Sequence, residues 1–213
     1  MNFCLVVSYF FIPVFRKQIS AFQFLFAILG IAHVNGMRNQ VTQEIRDEFV
    51  DMHNSYRSLL AEGLIDTETG VAGPAKKMKK MVSLRHGTRT ERQNCWESSS
   101  SSEENLYVVG NEGHEPDPVL DAGNKWWNEG FHMNQERDKS LYRTGFKMSS
   151  FANMAWDTRN KVGCAIVDCS GKTHVVCHYE EKDGENIYEI GQQCTGCSDY
   201  GSNVKCENDL CIA

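Results

Sequence analysis

The sequence predicts an α+β fold. Three observations carry that expectation: a long helical pattern near the start of the mature chain, two β-branched runs that meet at a tight turn, and an even set of cysteines behind an export signal.

The chain opens with its leader. Ala21 to Ala32 is a run of twelve residues, apolar except for Gln23, preceded by Arg16 and Lys17 and followed by His33-Val34-Asn35-Gly36. A basic pair, an apolar run of that length and small residues before the cut are the parts of a signal peptide. Residues 1–36 are therefore expected to be removed, leaving about 177 residues outside the cell. The earlier apolar stretch, Phe3 to Phe15, is cut off by Arg16 and Lys17. Neither half reaches the ~20 residues a membrane-spanning helix needs, so no stable span is expected in the mature form.

Of nine cysteines, Cys4 lies in the leader and eight remain: Cys95, Cys164, Cys169, Cys177, Cys194, Cys197, Cys206 and Cys211. In an oxidising compartment an even set reads as disulfides, although roughly a hundred connectivities are possible. The spacing of Cys194-x-x-Cys197 with Cys206 and Cys211 also resembles a zinc set, but secretion favours disulfides. A net charge of -6 argues against nucleic acid, and the one dense basic cluster, Lys76 to Lys80, reads as a solvated loop.

Thr42 to Glu62 forms the first helix. Thr42 is a fitting N-cap, Ile45, Phe49, Met52, Tyr56, Leu59 and Leu60 recur at helical spacing, and Gly63 stands where a left-handed cap belongs. Gly70, Gly73 and Pro74 mark a loop, Ser83 to Asn94 lacks apolar periodicity, and Ser98 to Ser102 is a run of serines expected to be exposed. Asp117-Pro118 opens a second helix expected to reach Glu129, with Trp126 and Trp127 as core. Val162 to Cys169 and Thr173 to Tyr179 form a hairpin about Ser170-Gly171. Pairing Cys169 with Lys172 puts Cys164 opposite Cys177, so that bridge is favoured, while Cys169 points to the other face.

Five segments occur in one order: His53-Asn54-Ser55-Tyr56-Arg57, Glu104-Asn105-Leu106-Tyr107, Trp126-Trp127-Asn128-Glu129, Phe151 to Trp156 with Lys161 to Cys164, and Val176-Cys177-His178-Tyr179. Together they resemble the CAP superfamily, the SCP or sperm-coating-protein domain, and within it the nematode activation-associated secreted or venom-allergen-like proteins. The resemblance implies a three-layer α-β-α sandwich over residues 37–190, followed by a short cysteine-rich hinge at 191–213. It further implies a cavity where two histidines and two glutamates hold a divalent metal. Glu104 and Glu129 match the glutamates, but Ser150 stands where one histidine belongs, and the histidine expected after Cys95 is absent. The residual cavity positions are thus Glu104, Glu129 and Ser150, and no metal or other cofactor is expected.

The remaining histidines do not replace the missing pair. His53 reads as structural, His86, His114 and His132 as solvated, and His174 and His178 as exposed polar residues sharing one strand face. Gly184-Glu185-Asn186-Ile187 imitates the cavity motif but follows the hairpin and reads as a turn. With the four tail cysteines paired among themselves, Cys95 is left for Cys169.

Function follows by weighing classes. A hydrolase working through Glu104 and Glu129 lacks a nucleophile and a base. The expected role is non-enzymatic: an extracellular effector or immunomodulator that binds host proteins, the alternative being a sterol or fatty-acid carrier. Intact-mass analysis of secreted material should give a species beginning near Met37; a species retaining Ala21 to Ala32 would show an anchored chain instead.

Overall fold

Helix α1 spans Gln43–Glu62, and both of its ends follow from local chemistry. Thr42 accepts a hydrogen bond from the Ile45 amide, and Gly63, at φ 75°, closes the other end with its N–H on the last-turn carbonyls. The computed structural model describes residues 41–84, 103–109, 117–135, 139–169 and 171–213. The leader, His86, His114, Cys95, the stretch 85–94 and the serine run therefore lie outside the described residues.

Two short strands, β1 (Asp66–Thr67) and β2 (Gly70–Val71), form a small hairpin after α1. The principal sheet joins β3 (Val82–Ser83), β4 (Glu104–Val108), β5 (Lys161–Cys169) and β6 (Lys172–Tyr179) in the order β3-β5-β6-β4. β3 runs parallel to β5; the other pairings are antiparallel. Helix α2 (Pro118–Trp127) is capped by Asp117, whose carboxylate accepts from the Val119 and Leu120 amides. It ends before Glu129, contrary to expectation: the chain tightens into a 3-10 turn over Asn128–His132, because Gly130 lies against Phe151 and leaves no room for a continuing helical side chain. Helix α3 is Ser149–Ala155.

The architecture is the expected three-layer α-β-α sandwich. Alternation along the strands decides what faces the helices. Val162, Val175, Cys177 and Tyr179 share one core with Phe49, Leu60, Trp126, Phe151 and Trp156 from the helical side. Ala165, Cys169 and Val176 are buried on the other face. Cys169 pairs with Lys172, and the directly opposed Cys164 and Cys177 are joined by a disulfide.

Residues after Ile190 are bound to the body. Strands β7 (Lys205–Glu207) and β8 (Leu210–Ile212) form a hairpin, and disulfides join Cys194 to Cys206 and Cys197 to Cys211. The Cys211 amide donates to the Met78 carbonyl at 2.7 Å, and the Lys80 amide to the Cys211 carbonyl at 2.9 Å. This corrects the reading of Lys76 to Lys80 as a free loop. Lys76 pairs with Glu189, Lys77 with Glu189 and Asp199, and Lys80 with Glu207, while the Lys79 ammonium lies 4.2 Å from the Tyr200 ring centre.

Two buried polar residues of α1 tie these parts together. Arg57 donates to the carbonyls of Lys79, Met154, Trp156, Asp157 and Arg159, from 2.7 to 3.4 Å. His53 donates from Nδ1 to the Phe49 carbonyl at 2.7 Å, since a carbonyl can only accept, so Nε2 accepts from the Tyr179 hydroxyl at 2.9 Å. Burial is the main force on His53, and with the nearby Arg57 it lowers the imidazole pKa from 6.5 to about 4.

A depressed histidine stabilises the fold fully above its unfolded pKa, and that contribution disappears as pH falls through the folded value. Between pH 6.5 and 4 the protein should therefore lose about 3 kcal/mol attributable to His53. Urea midpoints at pH 7, 5.5 and 4, compared with those of His53→Gln, measure it. Parallel stability profiles for the two proteins would remove His53 as the cause.

Candidate functional site

The expected cavity carboxylates are both held, but by different partners. Glu129 lies in the 3-10 turn after α2, aimed at the first turn of α3. Its Oε2 accepts from the Ser150 and Phe151 amides at 2.7 and 3.3 Å, and its Oε1 accepts from the Ser150 hydroxyl at 2.8 Å. Met148, which precedes α3, makes no side-chain cap bond. Glu129 therefore supplies the acceptor that the orphaned amides of a helix start require, and its negative charge suits that end of the helix dipole.

Packing fixes that aim. Trp127 stacks on Tyr56 at 4.9 Å between ring centres and meets the edge of Phe151 at 4.8 Å. A Cβ at Gly130 would stand 2.5 Å from the Phe151 ring, so only glycine lets the turn approach this closely.

Glu104 opens β4, where its backbone pairs with His178 of β6 and its Oε2 lies 3.4 Å from His178 Nε2. His174 and His178 do share a face, as their even spacing implies, but both are partly buried rather than exposed. Four residues along a strand separate them by roughly 13 Å, too far to grip one ion. His132 is exposed, with Nδ1 2.8 Å from Glu68. The Gly184 to Ile187 segment is structural: Ile187 exchanges backbone bonds with Ser140 and Asp157.

One further constellation was not legible. Asn105, next to Glu104, donates to the Tyr179 hydroxyl at 3.1 Å and to the Ser150 carbonyl at 3.0 Å. Its own oxygen accepts from Asn153, whose oxygen accepts from Arg159 at 3.1 Å. Arg159 then pairs with Glu103, which also takes Lys182 at 3.0 Å. This chain joins the helical layer to the sheet, and at its end burial, then the nearby Arg159, lower the Lys182 ammonium to about 8. Burial pushes the Tyr179 hydroxyl well above its ordinary range, so it stays protonated and serves as a donor.

The metal implied by the resemblance does not fit these residues. A zinc site needs three or four converging donors, usually with imidazole among them. Here a serine hydroxyl fills the histidine position, and both Glu129 oxygens face the start of α3. Among the described residues no three of His, Cys, Asp or Glu are placed to hold one ion. None of their helices is long and apolar enough to cross a membrane.

Comparison with known proteins places this geometry. The profile of the cysteine-rich secretory protein family, CAP, matches residues 50–179. Hookworm platelet inhibitor 1 of Ancylostoma caninum is 40% identical over 204 residues, covering 88% of this chain and 96% of that protein. Ancylostoma secreted protein, from the same organism, is 33% identical over 81% of this chain, which spans only 45% of that longer protein. The crystal structure of hookworm platelet inhibitor superposes with a TM-score of 0.68 at 37% identity, over 83% of this chain and 94% of that one.

Two outcomes follow. Chelator-stripped protein titrated with zinc should show no saturable site tighter than roughly 10 µM, or about 7 kcal/mol. Glu129→Gln should lower stability by about 1–2 kcal/mol, because a charged cap becomes neutral. A tight one-to-one isotherm that vanishes in Glu104→Gln or Glu129→Gln would overturn this account.

Proposed function

The chain belongs to the CAP family of cysteine-rich secretory proteins, and from that membership we propose that it is a secreted, non-enzymatic effector that acts by binding an extracellular host protein. Residues 37–190 are the CAP domain in this reading, and 191–213 its cysteine-rich tail. The observation that carries it is the commitment of the two family carboxylates. Glu129 caps α3 and Glu104 lies against His178, so each carboxylate is engaged by the fold itself.

The relatives support a role in binding. One that matches nearly end to end is named for inhibiting platelets, a host cell, and another for being secreted. Labelled mature protein should therefore bind washed platelets saturably and reduce their adhesion. That activity should persist in chelator and in Glu104→Gln, since neither metal nor carboxylate chemistry is required. Absence of binding to platelets and other blood cells, together with one-to-one uptake of a fluorescent sterol or fatty acid, would favour the carrier alternative.

A further inference from the structure

We propose that the groove between α1 and α2 is a docking surface for a basic, apolar-anchored segment of the extracellular partner. The proposal rests on the reading of the chain as a protein-binding molecule. The groove encloses about 880 Å³, with Met52 and Val119 as its floor and Leu120, half exposed, on its rim. Gly123 of α2 lets the helices approach closely at Met52, which sets the floor of the groove.

Its walls are acidic. Glu44, Asp47, Glu48 and Asp51 follow one another at helical spacing along the exposed stripe of α1, and Asp117 faces them from the start of α2. None of these five carboxylates forms an ion pair among the described residues. The contrast with the lysines at 76, 77 and 80, each held by a carboxylate, is plain. Carboxylates three and four residues apart on one helix repel one another, so the stripe opposes the helix that carries it. Burial, then Asp117 and Glu44, push the Glu48 carboxyl above its ordinary range.

Charge and shape select the occupant. A fatty-acid carboxylate would meet five like charges and be repelled. A single metal ion is disfavoured because no three of these carboxylates converge on a point. An extended segment with several Lys or Arg residues and one or two Leu or Phe residues satisfies both features: cations meet the walls and an apolar side chain meets Met52, Val119 and Leu120.

The probe is a synthetic twelve-residue peptide alternating Lys-Arg pairs with Leu, titrated into the mature protein and followed by backbone amide NMR. A second peptide with Glu for every Lys and Arg serves as control. Shifts should cluster at Asp47, Asp51 and Leu120, and affinity should weaken as salt rises. Asp47→Asn with Asp51→Asn should weaken binding about tenfold, whereas Glu62→Gln, at the far end of α1, should not. The double variant relieves repulsion within α1, so its folding is not at risk. Leu120→Ser tests the apolar anchor separately. Equal binding by the double variant, shifts elsewhere, or equal binding of the acidic peptide would overturn the proposal. Platelet binding by the same variant separates the two readings. Full retention sinks the groove and leaves the proposed function standing, while failure of the wild-type protein to bind cells sinks that function and leaves the peptide titration to judge the groove.

Discussion

The buried guanidinium of Arg57 is the constraint on which the rest of the structure depends. Five carbonyls from the Lys79 segment, the end of α3 and the entry to β5 converge on it. The Trp156 and Asp157 carbonyls also accept from the Arg159 and Lys79 amides, so there the guanidinium adds a second donor, and it gathers all five oxygens onto one centre. Burial lowers the pKa only to about 10, so the group remains charged at neutral pH, and Asp157 is the nearest compensating charge. A lysine cannot substitute, because a point charge lacks the planar fork that reaches all of these oxygens at once.

The same arrangement sets where α3 sits. Arg57 holds the end of α3 from α1, and Glu129 holds its beginning from the turn after α2. A seven-residue helix has little stability of its own, so its two ends decide its position. With Ser150 in place of an imidazole, the carboxylate gains a hydroxyl donor and completes the cap. Glu129 thereby caps α3, and Glu104 has His178 across the strand pair.

Much of this was legible in the sequence because it is local. The caps at Thr42, Gly63 and Asp117 depend on side chains within a turn of the helices they close. The hairpin register, and with it the Cys164–Cys177 bridge, follows from a two-residue turn and strand alternation. What was missed is long-range. Glu104 meets His178 only because β4 pairs with β6, a fact no spacing encodes, although the run Leu106-Tyr107-Val108-Val109 carried the signal of a strand. The lysines at 76–80 read as solvated because their acidic partners lie more than a hundred residues away. The end of α2 was placed too late because Gly130 responds to Phe151, again distant in sequence.

The docking of the tail gives that last pairing a wider meaning. Glu189, Asp199 and Glu207 act as built-in counter-ions for a cationic strip, with Tyr200 laid over its middle. While the tail is in place, Lys76, Lys77 and Lys80 each have a carboxylate partner and Lys79 lies against the Tyr200 ring. A single cut before Asp199 would not release these groups: the bridges from Cys194 to Cys206 and from Cys197 to Cys211 straddle that position, so the counter-ions and the covering ring would stay attached. Exposing the lysine strip therefore takes reduction of those two bridges as well as a cut, so the cross-links that look like tail staples also keep its counter-charges in place.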